Sequence, residues 1–422
     1  MKTINNYNVK IFTDNIEASA IEQIKRLLSI DVFSQCKIRI MPDVHAGAGC
    51  VIGFTGDLGD KVIPNIVGVD IGCGMLVQSF FLIRPIDYHA LHEYILQNIP
   101  SGRNFRDEHY TALPHSYTDL YREAKHLIRQ LHCYRKLKET RRLDKSIGTL
   151  GGGNHFIELD KDETGQFYLV VHTGSRNLGK QVAEIYQKLA IKCQSGWAEL
   201  MEEQNRLIDE YKRTGRKQEL QEVIRQLHNS FKMRKPAVPP DLSYLENKFR
   251  DDYLHDMRLC QRWAQLNRSL IIDLLMDFLI RQGYAEVSTG RSSRFESIHN
   301  YIGDDNIIRK GAISARLDEP CIIPMNMRDG SLICTGKGNE NWNFSAPHGA
   351  GRVMSRAQAL RTIEMVDFQK SMEGIYSETV TEETIDESPM VYKPATEIMR
   401  LIQETVTIEA VIKPVFNFKA KE

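Results

Sequence analysis

The sequence predicts an α+β chain, and three observations carry that expectation. Residues 38–83 are rich in glycine, valine and isoleucine, as short strands joined by tight turns are. Residues 181–285 run with helical spacing almost throughout. Strand-and-loop character then returns after residue 285.

In chain order, residues 16–30 predict a helix with Ile21, Ile24, Leu27 and Leu28 on one face. After the glycine-rich strands, residues 86–98 and 117–138 return to helical spacing. "GTLGGGNHFIEL" (148–159) and "FYLVVHTGSRNLG" (167–179) read as strand ends opening into loops. Within the helical stretch, residues 200–231 predict a hairpin of two amphipathic helices around Thr214-Gly215. Leu207, Ile208 and Tyr211 form one stripe; Leu220, Val223, Ile224 and Leu227 form the other. Its charges read as a solvated face. "KPAVPPDL" (235–242) is a stiff linker. "CIIPMNM" and "SLICTGKG" read as strands, "SAPHGAGRVMSRAQA" as a loop entering a helix, and the C-terminal "VTIEAVIKPVFNFKAKE" as a final strand pair.

The chain has 422 residues, enough to bury a large core without disulfides or a structural metal. Charge balances at 55 basic and 55 acidic residues, so overall charge points to no polyanionic partner. Eight cysteines occur without a CxxC pair, and "MKTINNYNVK" lacks an apolar signal core. No run is long and apolar enough to span a bilayer. Reduced thiols and a cytoplasmic location are expected.

The polar residues that do not fit a core cluster in the glycine-rich regions. They are Asp43 and His45, Asp70 and Cys73, Asn154, His155 and Glu158, then His172, His299 and His348. Singly, each reads as a hydrogen-bonded or apolar-like core residue. Together they favour a metal or phosphate site. Aspartate, thiolate and imidazole suit Zn²⁺, Mn²⁺, Fe²⁺ or Co²⁺, and one thiolate can bridge two ions. One Asp, one Cys and three His suffice for two ions with open positions. The glycines of "GGGNH" and "HGAGR" let backbone amides approach an anion. Arg352 adds a guanidinium suited to phosphate, and a histidine there can attack phosphorus.

The ordered motifs "GVDIGCGM", "GGGNHFIEL", "VVHTGSRNLG", "HNYI", "RKGAISA" and "HGAGR" resemble those of the RtcB RNA-splicing ligases, from about Met41 to the C-terminus. The resemblance implies one large domain over 1–422: a central mixed or antiparallel β core, surrounded by helices, with an inserted helical hairpin. It implies an enzyme that joins RNA 2′,3′-cyclic phosphate or 3′-phosphate ends to 5′-hydroxyl ends with GTP and two Mn²⁺ ions. Carried over, Cys73 bridges the two ions, His172 and His299 complete one ligand set, and Asp70 and His155 the other. His348 becomes guanylylated, with Gly349, Ala350, Gly351 and Arg352 beside the phosphates. Asn154 lies near the nucleotide phosphate, Glu158 near the guanine, and Lys419 contacts the guanylate.

The implied partners are RNA with broken ends, such as tRNA, and an archease-like activator; a monomer is expected. Asp43 or His45 assists proton transfer or simply supports its neighbours. Arg176, Arg309 and Lys310 are candidate RNA contacts, with surface solvation or internal ion pairing as the alternatives. The ligand set alone also allows a binuclear RNA phosphodiesterase without ligation, and a non-catalytic RNA-end sensor is the remaining alternative.

Overall fold

The computed structural model describes residues 2–3, 7–107, 113–236, 238–288 and 293–420. Its architecture is mixed α+β. The largest sheet has eight strands and is antiparallel. Its order is Ala285–Val287, Gly74–Leu82, Phe167–Thr173, Phe156–Lys161, Val406–Lys419, Gly330–Gly336 and Pro320–Asn326; Arg294–Ile298 also pairs with Gly74–Leu82. A six-stranded sheet contains Val9–Ile11, Ile38–His45 and Ile52–Gly56, and its one parallel pair joins Val9–Ile11 to Ile38–His45.

The expected final strand pair is instead one 14-residue strand, Val406–Lys419. Its first half pairs with the 330–336 strand, its second with the 156–161 strand, and the register shifts between Pro414 and Phe416. Proline lacks an N–H, so it is tolerated at such an irregularity rather than forcing a turn.

The first helix spans Ala18–Leu28 and buries Ile24, Leu27 and Leu28 as the spacing predicts. Helices Ala198–Arg213 and Lys217–Ser230 pack side by side around Gly215, whose φ is +73°. Both apolar stripes are half-buried, and Leu200 is the one fully buried residue of the pair. Of the linker 235–242, Ala237 lies outside the described residues, and Pro240–Leu242 forms a 3₁₀ turn.

The 35-residue helix Asn247–Arg281 positions the site. It buries Tyr253, Trp263, Leu270 and Leu275 without exposure. Each such side chain contributes about 1.5–3 kcal/mol by leaving water. Two buried polar residues on it then anchor loops. Asn267 Oδ1 accepts from the amides of Gly148 (2.7 Å) and Thr149 (3.1 Å). Arg268 donates to the carbonyls of Gly72 (2.8 Å) and Thr173 (2.9 Å) and pairs with Glu296 at 3.0 Å. One helix therefore ties together the loops that follow Gly148, precede Cys73 and follow His172.

Candidate active site

Sheet register brings the metal-ligating residue types to one end of the large sheet. Gly74 pairs with both Thr173 and Ile298, and Phe156 pairs with His172. Cys73, His172, His155 and His299 are these residues or their immediate neighbours, so they gather although they are far apart in sequence. The loop 68–73 is shaped for the purpose. Gly72 has φ +67°, and a Cβ there would lie 2.8 Å from Gln261 Cα, so a larger residue is excluded on both counts. Cys73 N–H closes a turn onto Asp70 O at 3.2 Å, and His299 N–H donates to Cys73 O at 2.7 Å.

Two ligand groups share the sulfur: Cys73, His172 and His299, and Asp70, Cys73 and His155, with ligand atoms in each group within 4.8 Å of one another. Cys73 Sγ lies 3.4 Å from Nε2 of both His155 and His172. Asp70 Oδ2 lies 3.2 Å from His155 Nε2.

The donor chemistry fits a cation. His172 Nδ1 donates to Asn154 O at 3.1 Å, which leaves Nε2 bare and aimed at the sulfur. His299 Nδ1 is buried without a hydrogen-bond partner among the described residues. Burial lowers His155, His172 and His299 below the ordinary imidazole range, the last two well below, so the rings are neutral. Burial and the Asp70 charge hold the Cys73 thiol well above its usual value. For Asp70, burial is outweighed by His155 and Arg176, and its carboxyl sits at about 2. A bound cation would favour the thiolate and neutralise the buried negative charge.

His348 stands beside this cluster, its ring centroid 4.8 Å from that of His299. Its Nδ1 lies 2.6 Å from Asp43 Oδ2, and the same oxygen accepts its backbone N–H at 3.1 Å. Asp43 is fully buried on the 38–45 strand, and Lys393 Nζ donates to the flanking carbonyls of Pro42 (2.8 Å) and Val44 (3.4 Å). Gly351 makes the approach of the loop feasible. Its φ is +77°, and any side chain would collide with the Asp43 backbone.

A cavity opens above these groups. Asn154, Glu158, His172, His348, Gly349, Ala350, Gly351, Arg352 and Lys419 all line it, so the residues expected at a nucleotide converge there. Pro324, Met325, Asn326, Met327 and Gly330, from the hairpin 320–336, form another part of the wall. Lys419 Nζ donates to Asn154 O at 3.1 Å and pairs with Glu387 at 3.0 Å; its neighbour Lys421 lies outside the described residues. Burial pushes Glu158 up to about 7 although Asn417, at 2.6 Å, and Lys419 oppose it. His45 also lines the cavity, its Nδ1 3.0 Å from Asp43 O.

Glu387 is the residue sequence reading missed. It is 2 % exposed and gathers Arg352 (3.2 Å), Arg356 (2.8 Å), Lys419 (3.0 Å) and the Tyr392 hydroxyl (2.6 Å). Asp386 also pairs with Arg356 at 2.5 Å. Three cations against two carboxylates leave that wall of the cavity with a net positive charge, which suits an anion.

Two candidate RNA contacts are corrected. Arg309 is 1 % exposed, paired with Asp305 at 2.8 Å and bonded to Ser345 Oγ at 2.9 Å. Lys310 is buried and donates to the carbonyls of Ala48 and Asn65. Both are internal struts of the six-stranded sheet, because their polar ends satisfy buried oxygens. Arg176 is half-buried, with Nη1 3.2 Å from His155 Nδ1.

A buried imidazole–thiol–carboxylate cluster, set against a glycine-rimmed loop and a basic wall, has the make-up of an enzyme site that places a cation beside an anion. Comparison with known proteins agrees. The family model described as tRNA-splicing ligase RtcB matches residues 23–420. The RNA-splicing ligase RtcB of Escherichia coli K12 is 30% identical over 99% of this chain and 98% of its own length. The tRNA-splicing ligases RtcB of Archaeoglobus fulgidus and Nanoarchaeum equitans are each 25% identical, over 92% and 86% of this chain and 88% and 84% of theirs. The chain belongs to the RtcB family of RNA ligases. Among the described residues no helix is long and apolar enough to cross a membrane.

Proposed function

We propose that this enzyme joins RNA 2′,3′-cyclic phosphate or 3′-phosphate ends to 5′-hydroxyl ends, using GTP, in RNA repair or tRNA splicing. The observation that carries this reading is the placement of His348. Its Nδ1 is held by Asp43 at 2.6 Å, and its ring stands against the His299 side of the ligand cluster. With Nδ1–H engaged by a carboxylate, the Nε2 lone pair is the nucleophile.

His348 Nε2 attacks the α-phosphorus of GTP, the bond to the bridging oxygen breaks, and pyrophosphate leaves. The glycine-rich loop His348–Arg352 and the basic wall of Arg352, Arg356 and Lys419 bind the phosphates. An oxygen of the RNA 3′-phosphate then attacks the same phosphorus and breaks the P–N bond, giving RNA-3′-pp-5′-G. The RNA 5′-hydroxyl attacks the 3′-phosphate, its proton passes to solvent, and GMP leaves. A cyclic phosphate is opened beforehand by water, whose oxygen bonds to phosphorus as the P–O2′ bond breaks, leaving a 2′-hydroxyl and a 3′-phosphate. Asp70, Cys73 and His155 would hold one Mn²⁺, and Cys73, His172 and His299 the other. Such ions neutralise charge on phosphate oxygens and lower the pKa of bound water.

Incubation with α-labelled GTP and Mn²⁺ should label the wild-type protein, and His348→Ala should remain unlabelled. An unlabelled wild type would instead favour a phosphodiesterase, which needs no covalent nucleotide.

Glu158 is proposed as the guanine reader. An ionised carboxylate accepts from guanine N1–H and the 2-amino group, whereas adenine offers an acceptor at N1. Because Glu158 sits at about 7, labelling by GTP should rise with pH through that value as the carboxylate ionises. The Glu158→Gln amide can donate to adenine N1 and leaves a guanine donor unpaired, a loss of about 1–3 kcal/mol. The ratio of GTP to ATP labelling should therefore fall roughly 10–100-fold. An unchanged ratio would remove Glu158 from base recognition.

A further inference from the structure

We propose that His132, His255 and Asp256 form a second divalent transition-metal site, which clasps the end of the 118–130 helix to the 247–281 helix. It shares no residue with the active site. His132 follows Leu131, the C-cap of the Thr118–Gln130 helix. His255 and Asp256 lie on the long helix, with Asp252 one turn earlier. The two imidazoles are stacked, with centroids 4.2 Å apart and planes 11° from parallel, so the exposed His132 ring tilts out of the stack to bring its lone pair onto an ion held by His255 and Asp256. Each of the three residues offers a ligand atom within 4.8 Å of the other two.

The surroundings hold these ligands in place. Asp256 is fully buried, and its Oδ2 accepts from Cys133 N–H (3.0 Å) and Tyr186 O–H (2.8 Å). Its Oδ1 accepts from His132 N–H (2.8 Å) and lies 3.0 Å from His255 Nδ1. Asp252 Oδ1 fixes the ring of His132 through Nδ1 at 2.9 Å. A ligating carboxylate held by outer hydrogen bonds, and a ligating histidine buttressed by a carboxylate, are the ordinary supports of a metal site.

The imidazole side chains are 49% and 43% exposed, so an ion reaches them from solvent. It takes the place of the proton between His255 Nδ1 and Asp256 Oδ1, and that proton leaves to solvent. Two imidazoles and one carboxylate suit Zn²⁺, Co²⁺ or Ni²⁺ over Mn²⁺, with water completing the shell.

The test uses the full chain, stripped of metal and re-equilibrated with Zn²⁺. In a Cys73→Ala background, the His132→Gln/His255→Gln protein should bind one equivalent less zinc than its parent. Zn²⁺ should raise the thermal midpoint of the Cys73→Ala parent by more than that of the variant. His255→Gln alone should weaken this equivalent at least tenfold, and it leaves the Asp256 hydrogen bonds to Cys133 and Tyr186 in place. Equal zinc content with and without the histidine pair would overturn the proposal. If Cys73→Ala binds as much zinc as wild type while the histidine pair still accounts for one equivalent, the thiolate centre fails and this site stands.

Discussion

Asp43→Asn is expected to slow nucleotide transfer onto His348 by roughly 10²–10⁴-fold while leaving the fold intact. Asp43 does three things at once for the proposed nucleophile. It accepts the Nδ1–H, it accepts the backbone N–H of His348, and it places a full negative charge beside the ring as that ring becomes cationic. An asparagine retains one acceptor oxygen but not the charge. It can also turn its amide towards Nδ1, which moves the ring proton to Nε2 and removes the attacking lone pair. The substitution is nearly isosteric in a fully buried position, and Lys393 keeps its hydrogen bonds to the carbonyls of Pro42 and Val44. The measurement is the initial rate of label transfer from α-labelled GTP, with the thermal midpoint as the control for folding. A rate within twofold of wild type, in a protein that melts normally, would show that Asp43 only packs the loop.

How much of this site the sequence showed depends on what kind of contact each residue makes. Cys73, Asp70 and the three histidines were legible because a carboxylate, a thiol and imidazoles are chemically out of place in glycine-rich apolar strands. Asn154, Glu158, His348 and Lys419 line one cavity because motif order carries spatial order in a related chain. Pairing across the fold was not legible. Asp43 and His348 are 305 residues apart, and the seating of Gly351 against the Asp43 backbone helps bring them together. Arg309 and Lys310 stayed open between RNA contact, surface solvation and internal pairing because sequence does not show which carbonyls a side chain satisfies. Asn267 and Arg268 left a trace: polar residues at positions where the helix is otherwise apolar. Glu387 left none, since "TEETIDESP" reads as a solvated acidic run.

Glu387→Gln is expected to destabilise the protein by about 3–5 kcal/mol, because it removes the carboxylate shared by Arg352, Arg356 and Lys419; Arg356 keeps Asp386, but the buried Lys419 and Arg352 lose their anionic partner. Burial alone would raise the Glu387 carboxyl. Lys419, Arg356, Tyr392 and Arg352 outweigh it and hold the group at about 2. A depressed carboxyl contributes stability that is fully present above its unfolded value, about 4.3, and is lost as pH falls through the folded one. The gap between wild type and variant should therefore be constant near neutral pH, narrow below about pH 4.3, and be largely gone near pH 2. Denaturant unfolding across that range measures it. The same cluster makes a second, opposite-signed expectation. An anion in the cavity supplies the charge the variant lacks, so GTP should raise the thermal midpoint of His348→Ala/Glu387→Gln by more than that of His348→Ala, in which no covalent nucleotide forms. If the variant is as stable as wild type, or gains nothing extra from the nucleotide, the three cations are balanced elsewhere and the basic wall is not poised for phosphate.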